Sequence, residues 1–381
     1  MAYDKVVDSA VLDGQLGNIA KAIRTKGKTT ANLTFPSGFI SAIQNIQTGT
    51  ELKIIVYVAN GAVVTATKGS KVLSGTSING TCTLVVPEAG TWSVKATRNG
   101  TTSDTKDVTV HDKYEVTLTF VSPTLNSNDW SVIKSVSDAG QGANYWSIGD
   151  RKAVTLNGTV GSLLLQNFTT YAFIIGFNHN AALEGTNRIH FQIGKTAASG
   201  GTDVCLCDSP YGSNVSTTGY FSMNSSGTTS GGWGSSQMRK NICGTNLSSY
   251  SGTMIAVIPA ALRAVLKSVT KYTDNTGNKS TSESAVTATT DYFFLLSEFE
   301  VFGSTSTANS NESRKQAQYA YYSAGNSKIK YKHDGTSTAA GWSLRSQCAV
   351  YSSFFVIVGS DGVARYSGAN NSIGFAPGFC V

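Results

Sequence analysis

Charge is scarce in this sequence. Only 14% of the 381 residues are Asp, Glu, Lys or Arg, too few for a self-repelling, disordered chain. The 30 basic residues never form a run of five or six. The clustered basic face with interleaved aromatics that marks a nucleic-acid binder is therefore missing. Long apolar runs are missing too. The longest, Met254 to Leu266, is interrupted by Pro259 and Arg263, whereas a bilayer span needs about 20 residues. No apolar run follows Met1-Ala2-Tyr3-Asp4-Lys5, so no secretory leader is expected. The expectation is a soluble protein made in a cytoplasm that reaches the outside on a particle or after lysis.

Catalytic signatures are equally sparse. There is no Gly-x-Ser-x-Gly elbow, no phosphate-cradling glycine loop ending in Lys-Ser or Lys-Thr, and no His-Glu-x-x-His. His179 and His190 could supply two metal ligands with Cys205 and Cys207, but no zinc-type spacing supports this, and no metal or cofactor is expected. The six cysteines, Cys82, Cys205, Cys207, Cys243, Cys348 and Cys380, are expected as free buried thiols, because a reducing compartment does not sustain disulfides. Cys205-Leu206-Cys207 is not a CxxC redox pair. Glu298 and Glu300, two apart on a strand-like run, would point to one face and are the nearest approach to a hydrolytic carboxylate pair. The expectation is that the protein is not an enzyme.

What remains is a hydrophobic content of 40% with 39 Gly and a surface of Ser, Thr and Asn. That composition suits many short strands and loops, and the length suits two or three domains at about 100–200 residues each. Residues 1–50 read as helical. Leu12, Leu16, Ile19 and Ile23 recur on one helical face, with Asp8 or Ser9 as cap and Gly27 just past the end. A second short helix follows Pro36, with Phe39, Ile40, Ile43 and Ile46 on a stripe. Two such helices bury little alone and must dock on the rest of the chain, a sister subunit or a larger assembly; an attachment or oligomerisation role is expected.

Residues 51–112 switch to period two: Leu52, Ile54, Val56 and Val58; Cys82, Leu84 and Val86; Trp92, Val94 and Ala96; Val108 and Val110. Turn signals at Asn60-Gly61, Asn79-Gly80 and Asn99-Gly100 separate them. A small immunoglobulin-like sandwich anchored on Trp92 is expected. Residues 113–381 form the third part, with Tyr114 to Phe120 as a linking strand, strand-like runs, one helix from Pro259 carrying Leu262, Val265, Leu266 and Val269, and long Gly/Ser/Thr-rich loops. The fold class is α+β, mostly β.

Aromatic residues in polar loops are the candidate binders, since rings give rigid contact area and Asn and Ser give adaptable hydrogen bonds. The candidates are Tyr319, Tyr321, Tyr322, Tyr351, Arg365, Tyr366, Asn370 and Asn371, with Tyr211, Tyr220 and Trp233 in a similar setting. Trp146, Trp233, Trp342 and Arg345 read mainly as structural.

Several short motifs carry a resemblance: Tyr145-Trp146-Ser147-Ile148-Gly149-Asp150, Ile175 to Asn180, Gly231-Gly232-Trp233, Met238-Arg239, Leu295-Leu296-Ser297-Glu298, Trp342-Ser343-Leu344-Arg345-Ser346 and the ending Gly374 to Phe379. They look like an uncharacterised domain family of Gram-positive gut bacteria and their phages. The ending also resembles the C-type-lectin-like or formylglycine-enzyme-like fold class. Ile23-Arg24-Thr25-Lys26-Gly27 with Phe35 to Phe39 is similar to the leading segment of phage tail-associated proteins. The resemblance implies a tail adhesin with an attachment segment, a spacer and a distal C-type-lectin-like recognition domain, assembled as a trimer on the virion. Its partners would be other tail proteins and a bacterial surface glycan or protein. A structural tail protein without a receptor role and a cell-wall depolymerase are the alternatives. Calcium-dependent sugar binding is not expected: the Glu-Pro-Asn and Gln-Pro-Asp triplets are absent, and calcium wants six to eight oxygens.

Overall fold

A computed structural model describes residues 9–27, 30–44, 51–211 and 221–381. More of the chain is strand than helix, in several small sheets with no barrel among the described residues. Two compact units divide it, Met1–Phe120 and Val121–Val381.

The first unit begins with helices α1 (Ser9–Gly27) and α2 (Ser37–Gln44). Ala20, Ile23 and Phe39 are buried between them, with Leu16, Leu33 and Ala42 alongside. The expected stripes are only half used: Leu12, Ile19, Ile40 and Ile43 stay exposed. Asp8 and Ile46 lie outside the described residues, and Gly27 is the last residue of the helix rather than the one after it.

Strands β1 (Lys53–Tyr57), β2 (Val63–Lys68), β3 (Lys71–Thr76), β4 (Thr81–Val85), β5 (Gly90–Arg98), β6 (Thr101–Thr102), β7 (Lys106–Val110) and β8 (Lys113–Thr117) follow. They form two sheets, β4-β1-β8 and β3-β2-β5-β6 with β7 also on β5. Alternate residues of both sheets share one core: Ile54, Val56 and Leu84 from one, Ala66, Val94 and Val108 from the other, around a fully buried Trp92. Two-residue turns at Asn79-Gly80 and Asn99-Gly100 take positive φ at both positions, the geometry that matches strand twist. One boundary differs from the sequence reading. β8, assigned there to the C-terminal part, pairs in parallel with β1 along its whole length, and Asp104 Oδ1 accepts the Thr119 N–H at 2.7 Å. The first unit therefore ends at Phe120, not at residue 112. Parallel pairing needs a partner far along the chain, which strand patterning does not reveal.

The second unit carries strands β9 (Arg151–Val160), β10 (Leu163–Phe177), β11 (Ile189–Lys195), β12 (Val204–Cys205), β13 (Val269–Asp274), β14 (Val286–Asp291), β15 (Phe293–Phe294), β16 (Lys330–Lys332), β17 (Gly335–Ala340), β18 (Trp342–Gln347), β19 (Phe354–Val358), β20 (Ala364–Gly368) and β21 (Gly378–Cys380). Its main sheet has the order β15-β21-β11-β10-β9. Every residue of the central β11 is buried. Trp130, Phe191, Phe293 and Phe379 pack there with ring centroids 5.2–6.1 Å apart. Smaller sheets, β12-β16-β17, β13-β14 and β18-β19-β20, join this core.

Two element expectations fail. The helix from Pro259 lasts only from Ala260 to Arg263, and Val269 opens β13. Glu298 and Glu300 lie on a short helix, Glu298–Phe302, not a strand. Ser297 Oγ accepts the Glu300 N–H while the Glu300 carboxylate accepts the Ser297 N–H, a capping box that overrides the local strand-like composition. All six cysteines are free and buried.

Candidate binding site

Two groups of side chains stand out in the second unit, one closed and one open.

The closed group is ionic. Lys271 on β13 donates to Glu184 Oε2 at 2.7 Å, Glu300 Oε1 at 2.9 Å and the Tyr319 hydroxyl at 2.7 Å. Arg345 on β18 grips Glu300 through two nitrogens and also donates to Thr273 Oγ1 and the Leu295 carbonyl. His179 stacks on the Tyr319 ring at 3.7 Å, and His190 Nδ1 lies 3.1 Å from the Tyr319 hydroxyl. Burial opposes charge on Glu300, but Arg345 and Lys271 outweigh it and hold the carboxyl below its usual range. Burial raises Glu184 to about 7 and drives His179 down to about 3 and His190 well below its ordinary value.

His179, Glu184 and Glu300 bring donor atoms close enough to share a metal ion. The space between the two carboxylates, however, already holds the Lys271 ammonium. With Arg345 beside it, the two acids are matched by two bases, which leaves no net negative charge to hold a divalent cation. The arrangement does the work of a core cross-link.

The open group lies on the β19–β20 hairpin. Direct pairing places Val356 opposite Tyr366 and Phe354 opposite Gly368, so Phe354 and Tyr366 share a face. Their rings stack 5.3 Å apart at 19°. Tyr351, in the turn before β19, closes the set at 5.3 Å from Tyr366 and 5.4 Å from Phe354. Tyr351 and Tyr366 are 44% and 47% exposed, and Val350 is exposed beside them. The platform is well held. Ser352 O accepts both the N–H and the hydroxyl of Thr229, Ala349 N–H donates to Thr307 O, and Ala369 O accepts Asn224 N–H. Asn371, just past β20, donates to Ser367 Oγ, while its buried Oδ1 has no partner.

The sequence candidates thus separate. Tyr351 and Tyr366 converge, and Asn370 and Asn371 lie against Gly368 at the end of β20. Arg365 alternates to the other face, where it pairs with Asp361. Tyr319, Tyr321 and Tyr322 were expected in an exposed loop but are buried. Their hydroxyls bond Lys271, Lys195 and Gln192 respectively, so they cannot meet an external ligand. A polar flanking sequence concealed their burial because the polar partners come from distant strands. Trp233 is buried with its indole N–H on Asp291, and the Tyr211 hydroxyl accepts the Gly341 N–H; Tyr220 lies outside the described residues. Phe354 was missed as a site residue. Its signal was present: it opens a strand-like run and alternates with Val356.

The carboxylates of Glu298 and Glu300 are both engaged within the fold. Glu298 accepts the backbone N–H groups of Ser306, Thr307 and Ala308. A separate hollow of about 470 Å³ is lined by Arg188, Lys267, Tyr292 and Asp138. Its acid, Asp138, is bound to Lys134 and Lys267.

No curated protein matches the chain. Residues 216–381, which contain both Arg345 and the Tyr351–Phe354–Tyr366 cluster, match the model of a family described as a domain of unknown function (DUF6273).

Proposed function

We propose that the chain is a non-enzymatic bacteriophage tail adhesin that binds a bacterial surface glycan through the ring cluster Tyr351, Phe354 and Tyr366. The observation that carries this reading is the cluster itself: aromatic faces left in solvent on a braced hairpin, with Asn370 and Asn371 against Gly368, the residue paired with Phe354. Ring faces suit the C–H faces of sugars, and side-chain amides suit their hydroxyls. In this reading residues 1–50 attach to other tail proteins as part of a trimer, the immunoglobulin-like sandwich spaces, and the C-type-lectin-like C-terminal domain recognises. The exposed Leu12, Ile19, Ile40 and Ile43 are consistent with attachment. One shallow site binds weakly, and three on one particle raise avidity by roughly 10²–10⁴.

The test is binding of the purified chain to a glycan array and to whole cells, with Tyr351→Ala/Tyr366→Ala as comparison. Two exposed rings contribute about 1–3 kcal/mol, so binding should weaken about ten- to a hundredfold with an unchanged thermal midpoint. Undiminished binding by the double variant would sink the assignment.

A further inference from the structure

At the end of β11, the geometry of Lys195, Asp203 and Tyr321 differs from an ordinary ion pair. Lys195 and Asp203 face each other across an antiparallel bridge. The short loop between them is closed by Thr196 N–H to Thr202 O at 3.0 Å and Thr202 N–H to Thr196 Oγ1 at 2.9 Å. Gly194 lets the second segment come close: its φ is +129°, and any Cβ there would sit 2.0 Å from Val204 O. The Lys195 ammonium touches Asp203 Oδ1 directly. Both residues are buried, at 3% and 8% exposure.

The Tyr321 hydroxyl spans the pair. It accepts from Lys195 Nζ at 2.8 Å and donates to Asp203 Oδ2 at 3.3 Å. The walls are aromatic, with Nζ 4.5 Å from the Phe173 ring centre and 5.2 Å from that of Tyr321. On the other strand Lys330, fully buried, keeps its ammonium 5.3 Å from the same Phe173 ring with no hydrogen-bond partner. Burial first, then Lys330 and Arg151, push Lys195 down to about 7, so an appreciable fraction of the amine is neutral and nucleophilic.

We propose that Lys195 and Asp203 are joined by an intramolecular amide between Nζ and Cγ, formed by condensation with Tyr321 as proton relay. A proton first moves from the ammonium to Asp203 Oδ2 through the Tyr321 hydroxyl, a transfer that burial favours because it removes two charges. The Nζ lone pair then forms the bond to Cγ. Tyr321 gives its proton to Oδ2 and takes one from Nζ, the Cγ–Oδ2 bond breaks, and one water leaves. Oδ1 remains as the amide oxygen and Tyr321 is restored. No oxidant, metal or cofactor enters the balance. Fixed contact between amine and carboxyl removes the translational and rotational cost that the bimolecular reaction bears.

The test is intact mass and tryptic mapping of the full, folded chain. Between Arg188 and Arg239 the only tryptic site is Lys195, and an acylated lysine is not cleaved. The expected result is a chain lighter than its sequence by one water, with that loss confined to an uncut peptide 189–239. Lys195→Met and Asp203→Ala should restore the full mass, and Tyr321→Phe should slow bond formation and give two masses. A native chain of full mass that is cut after Lys195 would overturn the proposal. Loss of water elsewhere, with Lys195 still cleaved, would overturn it equally.

Discussion

Arg345 and Glu300 meet through two nitrogens and two oxygens, and neither has any exposed surface. The pair ties β18 to the helix 298–302, and Lys271 extends the tie through Glu184 to the short helix Ala181–Glu184 after β10. Two strands and two short helices distant in sequence are thereby held at one point.

Removing one member should therefore strand the others. Arg345→Met leaves Glu300 with a single counter-ion in a dry site, and the expected loss is about 3–5 kcal/mol. Chemical denaturation of the variant measures it. A loss under about 1 kcal/mol would mean that water reaches the cluster.

The histidines give a pH dependence whose sign follows from their shifts. His179 titrates at about 3 in the folded chain, against 6.5 for an unperturbed imidazole. Between those values the unfolded chain binds more protons, so this contribution is present above pH 6.5 and lost as pH falls. Glu184 and Glu312, both raised to about 7 by burial, act in the opposite sense, favouring the folded chain below about pH 7. The wild-type slope near pH 5–6.5 is then a small difference. His179→Gln removes its own part of the histidine side while His190 remains, and stability at pH 5 relative to pH 7 should rise by up to about 2 kcal/mol over wild type. Urea melts at the two pH values read this directly.

Trp92 is the anchor of the first unit's sandwich, with no exposed surface. Trp92→Ala should cost about 3–5 kcal/mol. Hydrogen exchange should show the loss in the amides of β1 to β8, with protection of β10 and β11 kept.

The open ring cluster should behave oppositely. Tyr351 and Tyr366 fill no core, so Tyr351→Ala and Tyr366→Ala should each change stability by less than about 1 kcal/mol. A thermal melt checks this, and a larger loss would reassign the rings to structural packing.

Local pattern was enough for the elements whose signals are local. Period-two runs with Asn-Gly turns mark β1, β4, β5 and β7, and Tyr351 and Tyr366 stood out as rings in polar sequence. Pattern failed where partners are distant. Tyr319, Tyr321 and Tyr322 carry the same polar neighbours as Tyr351, yet Lys271, Lys195 and Gln192 reach them from strands far along the chain. Glu298 and Glu300 have strand-like neighbours, and a four-residue capping motif made them helical.

By itself the amino-acid order determined the alternation of buried and exposed side chains, the tight turns, and a set of rings and amides available for contact. These follow from steric preference and hydrophobicity within a few residues. Only the tertiary structure decided which rings are open, that β8 closes the first unit, and that Lys271, Glu184, Glu300 and Arg345 meet. Those outcomes depend on segments tens to more than a hundred residues apart sharing one low-dielectric volume, where an unpaired charge is expensive and each polar group must find its partner.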